Sequence, residues 1–187
     1  MSAIALPLAS DEPEVPQGFE LIGGELVEKQ TSAEHGRAQL RFGETLSPFN
    51  RRSGGPPERP GGWWFGTEVL VQFGPQLRYR PDVAGWRRER LPTPPTGEIT
   101  QEIPDWICEI LSPGNARNDT VRKMRDYHRV QVAHYWLLDP RAETLEVHRW
   151  TREGYLVVLA AERGERVRAE PFEGIELAIG VFFGDED

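Results

Sequence analysis

The chain has 187 residues, a length that suits one domain of ordinary size. Lys plus Arg is 22 and Asp plus Glu is 30, so the formal net charge is −8, which argues against a protein that coats nucleic acid. The longest apolar run, Tyr155 to Ala161, is far short of a bilayer span, and the start has no basic signal-peptide region and contains Pro7.

Residues 1–18 are therefore expected to be a flexible N-terminal arm, 19–183 a single domain and 184–187 an acidic tail. The lone Cys108 cannot form an internal disulfide, which fits a reducing cytoplasm. Phe19 to Lys29 alternates apolar residues around Gly23-Gly24, the pattern of a hairpin with a two-residue turn. Thr31 or Ser32 can cap a helix whose Ala38, Phe42, Thr45 and Leu46 form a stripe before Pro48 stops it. Asn50 to Gly62 is a loop by composition, and Trp64 to Phe73 and Leu77 to Trp86 read as two antiparallel strands joined at Gly74-Pro75. After them the proline-rich stretch from Arg87 to Glu102 is long enough for a functional flap.

Pro104 to Leu111 is a nearly continuous apolar strand, which suits the centre of a sheet. A helix from about Ala116 to Arg129 follows, with Asn115, Asn118 or Asp119 as capping candidates. Ala133 to Leu138 and Thr144 to Trp150 are further strands, and two or three short strands complete the chain to Phe183. The expected class is α/β (α+β), a mixed sheet flanked by two helices with additional hairpins. Trp63, Trp64, Trp86 and Trp106 are read as packing residues rather than platforms for bases.

Two acids stand out because a carboxylate in an apolar strand needs a partner or a cation. One is Asp82, after Pro81; the other is Glu109, inside Ile107-Cys108-Glu109-Ile110-Leu111. On neighbouring strands they could hold a Mg²⁺-type ion together, or Glu109 could pair with an arginine. Only Lys29 and Lys123 are lysines among the 22 basic residues. Lys29 ends a strand and is read as solvated. Lys123 either reaches the two acids from its helix or pairs with Asp119 on the surface. Cys108 should face away from Glu109 as a buried, inert thiol. Asp105 shares Glu109's side of the strand but reads as a hydrogen-bond acceptor at the strand start.

The opening FELIGGELVE, Glu34-His35-Gly36, the run PDVAGW and the long segment from Pro104 to Trp150 resemble the Uma family of restriction-endonuclease-like proteins, within the PD-(D/E)XK nuclease superfamily. The resemblance spans roughly residues 19–150. It implies a core of helix, three antiparallel strands, helix and strand. Pro81-Asp82 matches the PD and Glu109 the (D/E), whereas Leu111 stands where the superfamily lysine is expected. The resemblance moves that lysine's role to Lys123 on the following helix, with Tyr127 beside it. Gln131 stands where relatives usually carry glycine.

A metal-dependent endonuclease acting on DNA is thus implied, with RNA as a second substrate candidate. Asp82, Glu109 and the Ile110 backbone carbonyl would hold Mg²⁺ or Mn²⁺, with Asp82, Glu109 and Lys123 catalytic. Glu34, His35, Glu44, Glu68 and Tyr127 are secondary candidates. The alternative is a non-catalytic nucleic-acid-binding or protein-interaction module on the same fold. A homodimer or higher homo-oligomer is expected, with the apolar stretch Ile175 to Phe183 as the interface. Net charge is uneven: −6 over residues 1–36, +5 over 37–90, −1 over 91–130 and −6 over 131–187. Arg78, Arg80, Arg87 and Arg88 in the positive stretch are the candidate nucleic-acid contacts.

Overall fold

The computed structural model describes residues 14–29, 32–112 and 116–186, with only the backbone of 116–119. The strands in chain order are β1 (Phe19–Ile22), β2 (Glu25–Glu28), β3 (Trp63–Thr67), β4 (Leu70–Gly74), β5 (Leu77–Tyr79), β6 (Val83–Arg87), β7 (Ile99–Thr100), β8 (Trp106–Ile110), β9 (His134–Asp139), β10 (Thr144–Thr151), β11 (Gly154–Glu162), β12 (Arg166–Val167) and β13 (Leu177–Ala178). The helices are α1 (Ala33–Thr45) and α2 (Ala116–Arg129), with a 3₁₀ turn at Ile179–Phe183. Six strands form one sheet in the order β11-β10-β9-β8-β6-β3, five form a second in the order β2-β1-β5-β4-β7, and β12-β13 is a small ribbon.

Several expectations hold to the residue. The hairpin turns at Gly23 and Gly24, both at positive φ, as a two-residue turn requires. Ser32 caps α1 by accepting a hydrogen bond from the His35 amide at 3.3 Å; the alternative cap Thr31 lies outside the described residues, as does Asn115 for α2. The side chains of Asn118 and Asp119 also lie outside them. The order α1, β3, β6, β8, α2, β9 is the expected core: β3, β6 and β8 are antiparallel, and β9 joins β8 in parallel across the α2 crossover.

The two long strands expected at Trp64–Phe73 and Leu77–Trp86 are instead four strands in two sheets. Glu68 takes a left-handed φ of 55°, and Pro81 has no N–H to give to a ladder. The break is mutual, because the Glu68 amide donates to the Pro81 carbonyl at 3.2 Å. The hairpin thereby leaves the five-stranded sheet and enters the six-stranded one, and Asp82 sits at the crossing.

Strand alternation divides the core. Trp106, Cys108 and Ile110 of β8 point into a layer with Ala38 and Phe42 of α1, Trp63, Trp136 and the C-terminal residues Phe172, Leu177, Ile179, Val181 and Phe182. Ile107 points the other way, into a layer with Tyr127 of α2 and with Val71, Phe73, Leu77 and Tyr79 of the five-stranded sheet. The apolar end Ile175–Phe183 is therefore not a free interface. Leu177, Ile179, Val181 and Phe182 are buried in their own chain's core, and the two or three strands expected after Trp150 are β11, β12 and β13, followed by the 3₁₀ turn. Within the stretch expected to be a flexible arm, Val15 is buried against Leu21 and Leu70. No helix among the described residues is long and apolar enough to cross a membrane.

Candidate active site

Asp82, at the sheet crossing, has its Oδ2 against the Ile110 backbone amide at 2.6 Å. That bond ties the end of β8 to the start of β6. Glu109, on the α2 side of β8, receives two groups from the helix: Tyr127 Oη donates to Oε1 at 2.5 Å and Lys123 Nζ lies 3.3 Å from Oε2. Lys123 and Tyr127 are four residues apart, so one face of α2 presents both. All four side chains are buried. Trp63, Trp86 and Trp106 are core residues as expected, and Cys108 lies in the opposite layer, its thiol raised by burial. Asp105 accepts from the Arg87 amide at 2.8 Å and from Arg90, the expected structural role.

Lys29 overturns its reading as a solvated strand end. Its side chain is 6% exposed, and Nζ lies 2.7 Å from Asp82 Oδ1 and 2.8 Å from Glu68 Oε2. The backbone continues the β1–β2 ladder, with the Lys29 amide donating to the Gly18 carbonyl at 2.8 Å, and the long side chain reaches from there to the sheet crossing. Glu20 was missed entirely. It is 3% exposed, accepts from the Arg80 amide at 2.8 Å and faces Lys123 Nζ at 3.1 Å. It carries the signal that marked Asp82 and Glu109, an acid within the apolar strand Phe19-Glu20-Leu21-Ile22.

Of the secondary candidates, the fold gathers His35, Glu68 and Tyr127. His35 Nε2 stands 3.4 Å from Asp82 Oδ2, and Gln39 Nε2 bonds both Glu68 Oε1 (2.7 Å) and the Asp82 carbonyl (3.1 Å). Glu34 and Glu44 do not join them. Both are exposed, and Glu44 pairs with Arg41 at 2.9 Å.

The arginines divide as well. Arg78 is 1% exposed, so it cannot meet a phosphate at the surface. The Arg80 guanidinium is spent on the Phe19 and Glu68 carbonyls at 3.2 and 3.1 Å. Arg87 and Arg88 keep exposed area but lie over Trp63 and Trp64, the latter at 3.3 Å.

Electrostatics distinguish the two central acids. Burial works against charge on Asp82, yet Lys29 and His35 outweigh it and hold the carboxyl well below the usual carboxylate range. Glu109 is pushed up to about 7 by burial and by Asp82, with Lys123 opposing. Burial also opposes charge on Lys29, but Asp82 and Glu109 raise its ammonium above the usual lysine value. Tyr127 remains a phenol, held well above its ordinary value by burial and by Glu109.

Four carboxyl groups, Glu20, Glu68, Asp82 and Glu109, thus face two ammonium groups. The raised Glu109 follows first from burial, with Asp82 and Glu20 adding to it and Lys123 and Lys29 opposing. Asp82, Glu109 and the Ile110 carbonyl are hard oxygen donors that fit a Mg²⁺-type ion. Among the described residues no three His, Cys, Asp or Glu side chains are arranged around one point.

Comparison with known proteins bears on the family and the fold. The family model described as "Uma2: Putative restriction endonuclease" matches residues 8–180. A crystal structure of a putative nuclease belonging to DUF820 from Anabaena variabilis ATCC 29413 shares the fold, with a TM-score of 0.67 and 23% identity over 91% of this chain and 92% of that one. No curated protein matches the chain in sequence. With the family pattern covering nearly the whole chain, the protein belongs to the Uma2 family of restriction-endonuclease-like proteins.

Proposed function

We propose that the chain is a Mg²⁺- or Mn²⁺-dependent endonuclease that hydrolyses phosphodiester bonds of DNA in the cytoplasm, with RNA as the second candidate substrate. The observation that carries this reading is that Lys123 meets Glu109 at 3.3 Å while Asp82, just before β6, takes the amide of Ile110, the residue after Glu109, at 2.6 Å, the Asp82, Glu109 and Lys123 side chains all being buried. Asp82, Glu109 and the Ile110 carbonyl would hold the ion. Bound there, it would polarise a phosphate oxygen and lower the pKa of a water molecule. Tyr127 fixes Glu109 through Oε1, which leaves Oε2 to Lys123. The Lys123 ammonium orients the attacking water and offsets charge that grows on the phosphate oxygens. His35 steadies Asp82 from the α1 side.

Phosphate contacts away from the reacting bond fall to exposed cations. Arg87 and Arg88 remain candidates. Arg122, Arg125 and Arg129, with Asp126 among them, line a groove of about 810 Å³ between α2 and the turns at Gly23 and Gly74-Pro75. A non-catalytic nucleic-acid-binding or protein-interaction module is the second reading. It is favoured by the pairing of each central acid with a lysine and by Leu111 at the superfamily's lysine position.

A plasmid-nicking assay with Mg²⁺ or Mn²⁺ on the wild type beside Asp82→Asn, Glu109→Gln and Lys123→Met tests the proposal. Cation-dependent nicking by the wild type and its loss in the variants is the expected result. Equal activity in all four, or none in the wild type, overturns it. We further propose a homodimer or higher homo-oligomer, because cutting both strands with single-centre sites calls for two copies. Gel filtration should give a species larger than the monomer at micromolar concentration; a clean monomer removes this part.

A further inference from the structure

Lys29 sits in a cage of protein oxygens. Its Nζ lies 2.7 Å from Asp82 Oδ1, 2.9 and 2.8 Å from Glu68 Oε1 and Oε2, and 2.5 Å from the Arg80 carbonyl. These four oxygens outnumber the three protons of an ammonium group. Their grouping follows charge more than hydrogen-bond direction, and Asp82 Oδ1 is indeed close to the ammonium without a directed hydrogen bond. Carboxylate and carbonyl oxygens crowded at such distances are the donor set of a hard cation. The cage is also held from outside the lysine. Gln39 fixes Glu68 Oε1 and the Asp82 carbonyl, and the Glu68 amide is bonded to the Pro81 carbonyl.

We infer that Lys29 is a built-in cation occupying a divalent-cation position beside the proposed Asp82–Glu109 centre, with Asp82 shared between the two. The inference rests on the reading of Asp82 and Glu109 as metal ligands. Its consequence is that the wild-type chain takes one divalent ion. Lys29→Met, similar in length but uncharged, opens a second site made of Glu68, Asp82 and the Arg80 carbonyl. Loss of the ammonium leaves the two carboxylates without their shared counter-charge, and a hard divalent ion restores it. The chain's two lysines approach the acids from the end of the β1–β2 hairpin and from α2. Lys123 serves Glu109, and Lys29 serves Asp82.

Equilibrium dialysis of the full chain, stripped with chelator and titrated with Mn²⁺, counts bound ions directly. Wild type should bind one Mn²⁺ per chain, Lys29→Met two, and Lys29→Met combined with Glu68→Gln one again. The same count in wild type and Lys29→Met, or two ions in wild type, overturns the inference. No ion in the wild type would fail the Asp82–Glu109 metal reading alone; one additional ion in Lys29→Met would still support the cage. Should Lys29→Met be poorly folded without metal, its melting temperature supplies the readout. Mn²⁺ should raise it more than it raises the wild type's, and an equal rise counts against the inference.

Discussion

Lys123→Met is expected to lower cation-dependent nicking by about 10²–10³-fold, the cost of removing one preorganised charge from the reacting centre. The size follows from placement: Nζ is buried, lies 3.3 Å from Glu109 Oε2 and is 3.1 Å from Glu20 Oε1. The same substitution takes the counter-charge from two buried acids, and breaking a buried pair typically costs ~3–5 kcal/mol. The loss here should fall below that range near neutral pH. Glu109 already sits at about 7 and takes up a proton cheaply, while Glu20 keeps the Arg80 amide. The sign of the pH dependence follows. Lys123 favours the ionised form of Glu109, so without it the carboxyl must stay protonated as pH rises, at about 1.4 kcal/mol per unit. In urea titrations of metal-free protein, the stability gap between wild type and Lys123→Met should widen from about pH 6 to about pH 8. Adding Glu109→Gln should narrow the gap without restoring activity, separating the catalytic role from the structural one. Wild-type nicking by folded Lys123→Met would sink the assignment.

What could be read in advance was whatever a short stretch of chain decides. The span of α2 from Ala116 to Arg129 follows from local pattern, and so do the turn at Gly23-Gly24 and the cap at Ser32. Asp82 and Glu109 were legible because a carboxylate in an apolar strand is a local contradiction. Glu20 posed the same contradiction and was passed over. Lys29 could not be placed by pattern, since its burial depends on β2 returning beside β1 and on where the β3–β6 hairpin changes sheet. That change rests on Glu68 at positive φ, a conformation no composition rule assigns to glutamate. Arg78 fails as a phosphate contact for a related reason. Within Leu77-Arg78-Tyr79 all three residues are buried, so the expected division into an apolar and a solvated side does not apply.

Phe172→Ala should cost about 3–5 kcal/mol, among the larger single losses available in this core. Phe172 is fully buried, and its ring centre lies 4.9 Å from Phe49, 5.0 Å from Trp63, 5.1 Å from Trp106 and 5.6 Å from Trp136. Neighbours carried on three strands and a loop cannot all move in to fill the space of one ring, so a cavity remains. At roughly 2–4 °C per kcal/mol for a chain of this length, thermal unfolding should come about 10 °C earlier. Because Phe172 packs on the layer away from Glu109, nicking per folded molecule should be retained below the transition. The drop should also be independent of protein concentration, because the segment that Phe172 anchors, through Leu177 to Phe182, packs into its own chain. A gap to the wild-type melting temperature that closes with rising protein concentration would instead mean that this segment docks between copies, returning Ile175–Phe183 to the role of interface.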